Sequence, residues 1–111
     1  VIYNELRIRG YSVDVGNINI FDYDKNGKKE RKQLEVDFIC RKGSKKYYIQ
    51  SAYVLDTDEK REQEIRPFLR INDSFKKIII TSNTPKPLYT DDGILMMNIY
   101  DFLLHPNSLD F

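Results

Sequence analysis

Two polar residues interrupt the most strand-like part of the chain. Asp37 lies in Leu34 to Arg41, where Leu34, Val36, Phe38 and Cys40 alternate with Glu35, Asp37, Ile39 and Arg41. Gln50 lies in Lys46 to Val54, a run of Tyr, Ile and Val residues that suits a half-buried pleated surface. A carboxylate or an amide at such positions is stable only when it is bonded or holds a ligand. Asp37 is therefore either a structural anchor, held by a hydroxyl, a backbone amide or an arginine, or a ligand-binding group. A second kind of chemistry comes from the basic and aromatic residues. Lys28, Lys29, Arg31 and Lys32, then Arg41, Lys42, Lys45 and Lys46, accompany Tyr11, Tyr23, Tyr47, Tyr48 and Tyr53. Of these, Lys28, Lys29, Lys32, Lys42, Lys45 and Lys46 are the candidates for contact with nucleic-acid phosphates.

The elements that position these residues follow from periodicity. Ile2 and Leu6 share a helical face, and Gly10 stands where a C′ glycine ends a helix. Tyr11 to Val15 reads as a strand, broken or bulged at Gly16-Asn17 and continuing through Ile18 to Phe21. Asp22 to Lys32 reads as a polar tip around Asn26-Gly27, the dipeptide of a type I′ hairpin turn. Leu34 to Arg41 keeps a period of two, with one buried face holding Leu34, Val36, Phe38 and Cys40. Lys42-Gly43-Ser44 turns the chain into the third strand. These three strands form an antiparallel meander.

Asp56 to Ile71 reads as a helix capped by Asp56 or Thr57, with Glu59 completing a capping box and Pro67 expected to kink or restart it. Lys76 to Ser82 and Gly93 to Asn98 are short apolar strands of the kind buried on both faces. Asn83 to Thr90, with two prolines, reads as a loop. Ile99 to Leu104 reads as a short helix stopped by Pro106, and the remainder as a tail. The order is α-β-β-β-α-β-β-α, an α/β fold. The long crossover between the third and fourth strands places them parallel.

Composition limits the function classes. The 111 residues suit one domain, and 41% hydrophobic with 32% charged residues is a globular composition. A net charge of +1 gives no bulk attraction for nucleic acid, so any such surface must be local. One cysteine, Cys40, and one histidine, His105, cannot build a structural zinc site. Cys40 reads as a small buried hydrophobe. No run reaches membrane-spanning length and no signal peptide is visible. A cytoplasmic location is expected. The first residues already read as the last turns of a helix, so the chain is expected to be a fragment of a longer polypeptide.

Helix, meander, Asp in the second strand, polar position in the third, helix, strand: this order resembles the PD-(D/E)XK nuclease-like, or restriction-endonuclease-like, fold. The phrases YNELRIRGYSVDVG (Tyr3 to Gly16), LEVDFICRKGSKKYYIQSAY (Leu34 to Tyr53), REQEIRPFLRINDSFKKIIIT (Arg61 to Thr81) and GILMMNIYDFLL (Gly93 to Leu104) are similar to the domain found C-terminal to AAA-type ATPase modules in bacteria and archaea. The resemblance covers nearly the whole chain. It implies an ATP-binding N-terminal ATPase domain in the same polypeptide.

In active nucleases of this fold, a helix acid, a second-strand Asp and a third-strand acid hold Mg²⁺, and a lysine two residues on activates water. Mg²⁺ wants carboxylate and water oxygen, and phosphodiester cleavage wants positive charge on the reacting phosphate. On this chain the resemblance places the helix acid at Glu5 and the strand acid, a metal ligand in active members, at Asp37. The third acid falls at Gln50 and the lysine at Ala52. The motif is half present. Glu35, Lys46, or Arg61, Gln63 and Arg66 of the crossover helix are the residues that would have to compensate. The expectation is a non-catalytic accessory domain of an ATPase that binds DNA or a partner protein, with no cofactor of its own. The alternatives are a Mg²⁺-dependent DNA endonuclease with a rearranged site, and a structural or oligomerisation module.

Overall fold

A computed structural model describes residues 1–52, 55 and 57–111. Helix α1 (Ile2–Ile8) leads into β1 (Ser12–Tyr23), β2 (Lys29–Lys42) and β3 (Lys45–Ala52). Helix α2 (Asp58–Leu69) crosses over to β4 (Lys76–Thr81), followed by β5 (Leu88–Tyr89), β6 (Leu95–Asn98), α3 (Ile99–Leu104) and a 3₁₀ turn at Ser108–Asp110. The strands form one mixed sheet in the order β1-β2-β3-β4-β6-β5. The β1–β2–β3 meander is antiparallel, β3, β4 and β6 run parallel, and β5 is antiparallel to β6.

Helices cover both faces of this sheet. On one face Ile2, Leu6 and Phe102 pack with Cys40, Tyr47, Ile49, Ile78, Ile80, Leu95, Met97 and Leu109. On the other, Ile65 and Phe68 of α2 pack with Val36, Ile39, Tyr48, Ala52, Ile79, Ile94 and Met96. Successive residues of β4 and β6 thus enter opposite cores, which is why both segments read as uninterrupted apolar runs.

Local signals explain most element ends. Gly10, at φ 90°, closes α1 in a Schellman motif: Tyr11 N–H donates to Leu6 O and Gly10 N–H to Arg7 O. Thr57 caps α2 by accepting from Lys60 N–H at 3.1 Å; the alternative cap Asp56, the third-strand end at Val54 and the aromatic Tyr53 lie outside the described residues. Pro67 does not restart the helix, which runs unbroken from Asp58 to Leu69. It sits in the last turn, where α2 ends two residues later and Arg70 N–H bonds back to Pro67 O. The Asn98 side chain caps α3 by accepting from Asp101 N–H.

Five expectations need correction. The tip is shorter than expected, because β1 and β2 stay paired out to Tyr23↔Lys29. Its turn is not type I′, since only Gly27 has a positive φ, at 77°. Asp24 Oδ1 accepts from both Asn26 N–H and Lys28 N–H, making a three-residue loop that ends on a left-handed glycine. The break or bulge expected at Gly16-Asn17 is a bulge, and β2, not β1, carries the extra residue. Asp14 pairs with Ile39 and Gly16 with Val36, so Asp37 and Phe38 together oppose Val15. That extra residue flips the pleat: Val36 packs beneath α2, while Phe38 and Cys40 face α1 and α3, so the four alternating residues do not share a face. The Asn83 to Thr90 loop contains the edge strand β5.

The tail is part of the core. Leu109 and Ser108 are buried, and Asp110 Oδ1 accepts a hydrogen bond from the Tyr47 hydroxyl. On the opposite face the Tyr48 hydroxyl donates to Asp73 Oδ2 at 2.5 Å. The Tyr47 hydrogen bond holds the Asp110 carboxyl below its ordinary range against the push of burial, with Lys45 adding to it. Burial is the largest influence on Asp73 and raises it, but the bonds from Tyr48, Lys77 and Phe75 N–H together outweigh it and leave it depressed. A carboxyl depressed on folding contributes stability above its unfolded pKa of about 4 and loses it as pH falls through the folded value. The thermal midpoint is expected to fall as pH drops below about 4, and Tyr47→Phe to flatten that decline; a pH-independent midpoint there would contradict it.

Candidate functional site

The site begins where β2 leaves β3. Their ladder runs from Lys42↔Lys45 only as far as Phe38↔Ile49. Beyond it, at the bulge, two backbone amides need other partners. Asp37 N–H donates to Gln50 Oε1 at 3.0 Å, and Ser51 N–H donates to Asp37 Oδ2 at 2.7 Å. The two side chains cap each other's strand reciprocally. Gln50 then turns its amide nitrogen to Glu64 Oε2 on α2, also at 3.0 Å. The row Asp37–Gln50–Glu64 ties the end of the meander to the crossover helix.

This arrangement accounts for an amide at position 50. Its oxygen accepts from a backbone amide while its nitrogen donates to a carboxylate, and a glutamate could only accept. Gln50→Glu is therefore expected to lower stability by about 1–3 kcal/mol at pH 7, because two carboxylates meet at hydrogen-bond distance. Part of the loss should return on acidification to about pH 4.5, as the pair takes up a shared proton. Urea unfolding at the two pH values checks this, and an unchanged midpoint at pH 7 would count against the row.

The other motif positions do not join the cluster. Glu5 lies on α1 and pairs with Arg9 Nε at 2.9 Å. Arg9, with a side chain only 7% exposed, also donates to Ser108 Oγ at 2.9 Å and to Phe102 O, and its guanidinium lies over the Phe102 ring. Ala52 is buried beside α2 with no polar group to offer. Glu35, Gln63 and Arg66 are exposed, and Arg61 lines a separate cleft near Asp91 and Asp92. Lys46 lies against the rings of Tyr48 and Phe75, 4.9 and 5.1 Å from their centroids, at the far end of β3 from Gln50.

Mg²⁺ does not fit the residues present. Asp37 Oδ2 and Gln50 Oε1 are both engaged by backbone amides, and the Gln50 amide nitrogen is bonded to Glu64 Oε2. Among the described residues, no group of three or more His, Cys, Asp or Glu side chains is placed to hold a metal ion. Burial pushes the Cys40 thiol up to about 12, which makes it a packing residue and not a nucleophile.

The basic candidates disperse. Lys29 lies over Phe21, Lys32 pairs with Asp22 at 3.5 Å, Lys42 donates to Arg9 O at 2.8 Å, and Lys45 pairs with Asp110 at 3.2 Å. Lys28 and Lys29 are at the hairpin end; ten residues of strand, roughly 30 Å, separate Lys32 from Lys42. Tyr47 and Tyr48 point into opposite cores, so they form no common stacking surface, and Tyr11 packs edge-on against Tyr47.

Asp37 also borders a cleft of about 560 Å³ at the carboxyl ends of β3 and β4. Ile2, Tyr3, Phe38, Ala52, Ile80 and Ile99 give it apolar walls, and Ser51, Thr81 and Ser82 join Asp37 as its polar groups. Two contributors escaped the sequence reading. Glu64 carried no signal, because only the packing of α2 brings it to Gln50. Arg9 had a weak one, its i,i+4 spacing from Glu5.

No protein-family model matches the chain, and no solved structure matches it. A curated protein of Haemophilus influenzae, described only as an uncharacterized protein, is 33% identical over 104 residues. The match takes in 94% of this chain, which spans 22% of that relative's length. Among the described residues, no helix is long and apolar enough to cross a membrane.

Proposed function

We propose that the chain is a non-catalytic accessory domain of the PD-(D/E)XK nuclease-like lineage, joined to an AAA-type ATPase module in its full polypeptide, and that it binds a partner protein. The lineage is supported by the order of α1, the β1–β3 meander, the α2 crossover and parallel β4, with Asp37 in the second strand. ATP binding belongs to the ATPase module that the resemblance places before this domain.

One observation carries the loss of catalysis: Asp37 and Gln50 each bond a backbone amide of the facing strand. The positions that hold metal in active relatives of this fold here hold two strands together. Ala52 leaves no group to activate water. A protein partner is favoured over DNA because Lys29, Lys32, Lys42, Lys45 and Lys46 face partners within the chain and lie at separate places.

Incubating the chain with plasmid and branched DNA in Mg²⁺ or Mn²⁺ is expected to give no cleavage. Cleavage that Asp37→Ala abolishes would overturn the reading in favour of a rearranged endonuclease. Tight, salt-sensitive DNA retention in a gel shift would overturn the choice of a protein partner.

A further inference from the structure

We propose that the cleft bordered by Asp37 receives a cationic apolar anchor from a partner protein: an apolar side chain with an arginine or lysine beside it. This rests on the protein-binding reading above and names the chemistry of the partner.

The cleft has the size of sites that hold small ligands, about 560 Å³. Its floor is hydrocarbon. Ile80 is buried there, and Phe38 and Ile99 form half-buried walls. Tyr3, 42% exposed, stands at the mouth. An apolar group entering this space would leave water for surfaces already apolar.

Among the described residues lining the cleft, Asp37 carries the charged side chain. Thr81 is satisfied within the fold, donating its hydroxyl to Thr84 Oγ1 at 2.6 Å and accepting from Thr84 N–H at 3.1 Å. Asp37 is different. Its Oδ2 accepts from Ser51 N–H, and its Oδ1 has no partner among the described residues. No lysine, arginine or histidine is among the described residues lining the cleft, which Val1 also borders. Asp37 is exposed, and a carboxylate with one oxygen anchored and the other open is pre-set for a cation, because holding it costs little further ordering.

The test titrates the ¹⁵N-labelled chain with three dipeptide probes: acetyl-Phe-Arg-amide, acetyl-Phe-Glu-amide and acetyl-Gly-Arg-amide. The first should shift the amide signals of Tyr3, Phe38, Ser51, Ala52 and Ile99, and bind about tenfold or more tightly than either of the others, as one charge-assisted contact plus one buried side chain imply. Asp37→Asn, which keeps an oxygen for Ser51 N–H, should weaken it about tenfold; Tyr3→Ala should weaken it through the wall alone.

Should Asp37→Asn not fold, the wild-type chain still decides, because affinity must fall between 50 mM and 500 mM salt, conditions that differ in screening. Absence of localised shifts at millimolar probe, equal response to the Glu peptide, or indifference to salt would each overturn the proposal. A chain that neither cleaves DNA nor takes the Phe-Arg probe leaves the non-catalytic reading standing and removes this one. Cleavage of DNA removes that reading whatever the peptides do.

Discussion

Arg9→Ala is expected to destabilise the domain by about 3–5 kcal/mol, the range for breaking a buried ion pair from one side. The guanidinium joins the end of α1 to two sites near the C-terminus. Its Nε holds Glu5 in α1, one terminal nitrogen holds Ser108 in the 3₁₀ turn, and the other holds Phe102 O at the end of α3. Alanine would leave the Ser108 hydroxyl without its charged donor and Glu5 without a counter-charge in a half-buried place. It would also remove the stem that packs over the Phe102 ring, 4.5 Å from its centroid. Phe102 is fully buried in the α1–α3 core, so loosening it exposes that whole face. Arg9→Lys should recover only part of the loss, since an ammonium cannot fork to three acceptors in a plane. Chemical denaturation reads the result, and a shift below about 1 kcal/mol would mean that water serves these groups as well as Arg9 does.

Gly16→Ala is expected to cost about 3 kcal/mol or more, at the upper end of overpacking effects. Its backbone conformation is not the reason, for Gly16 is absent from the positive-φ positions. The reason is contact. A Cβ there would lie 2.2 Å from Val36 Cγ2, 2.8 Å from Val36 O and 3.1 Å from Ile39 Cγ1. The carbonyl belongs to the β2 backbone and cannot step aside, and both side chains are already packed beneath α2. The expected response is a shift of β1 away from β2 at the bulge, beside the Asp37–Gln50 cap. Gly43 supplies the contrast: at φ 60° with nothing within 4 Å of a new Cβ, Gly43→Ala should cost only the left-handed strain, about 1–2 kcal/mol. Thermal melts of the two variants rank them, and a Gly43→Ala loss equal to or greater than that of Gly16→Ala would contradict the account.

These two residues mark where sequence reasoning reaches and where it stops. Gly16 was visible as a place where the strand must do something unusual, and the structure puts the irregularity next to it. Which strand carries the extra residue was not visible, because a bulge is a property of the pair. Each strand alone is compatible with either register. That choice turned Phe38 and Cys40 to the opposite core from Val36 and left Asp37 at the point where β2 and β3 separate. Arg9 shows the same limit, since Ser108 and Phe102 reach it from elements that meet α1 only in the folded chain.

By itself the sequence determined the elements and their connection. Period-two alternation, two-faced apolar runs, Gly10, Thr57 and Asn98 are local signals, and short-range sterics and hydrogen bonding read them residue by residue. Only the tertiary structure decided what Asp37 and Gln50 do. Their roles depend on where the β2–β3 ladder ends, on Glu64 arriving from α2, and on Ile80 and Ile99 closing a cleft beside them. Those are distances between parts of the chain set by packing, and no local pattern encodes them.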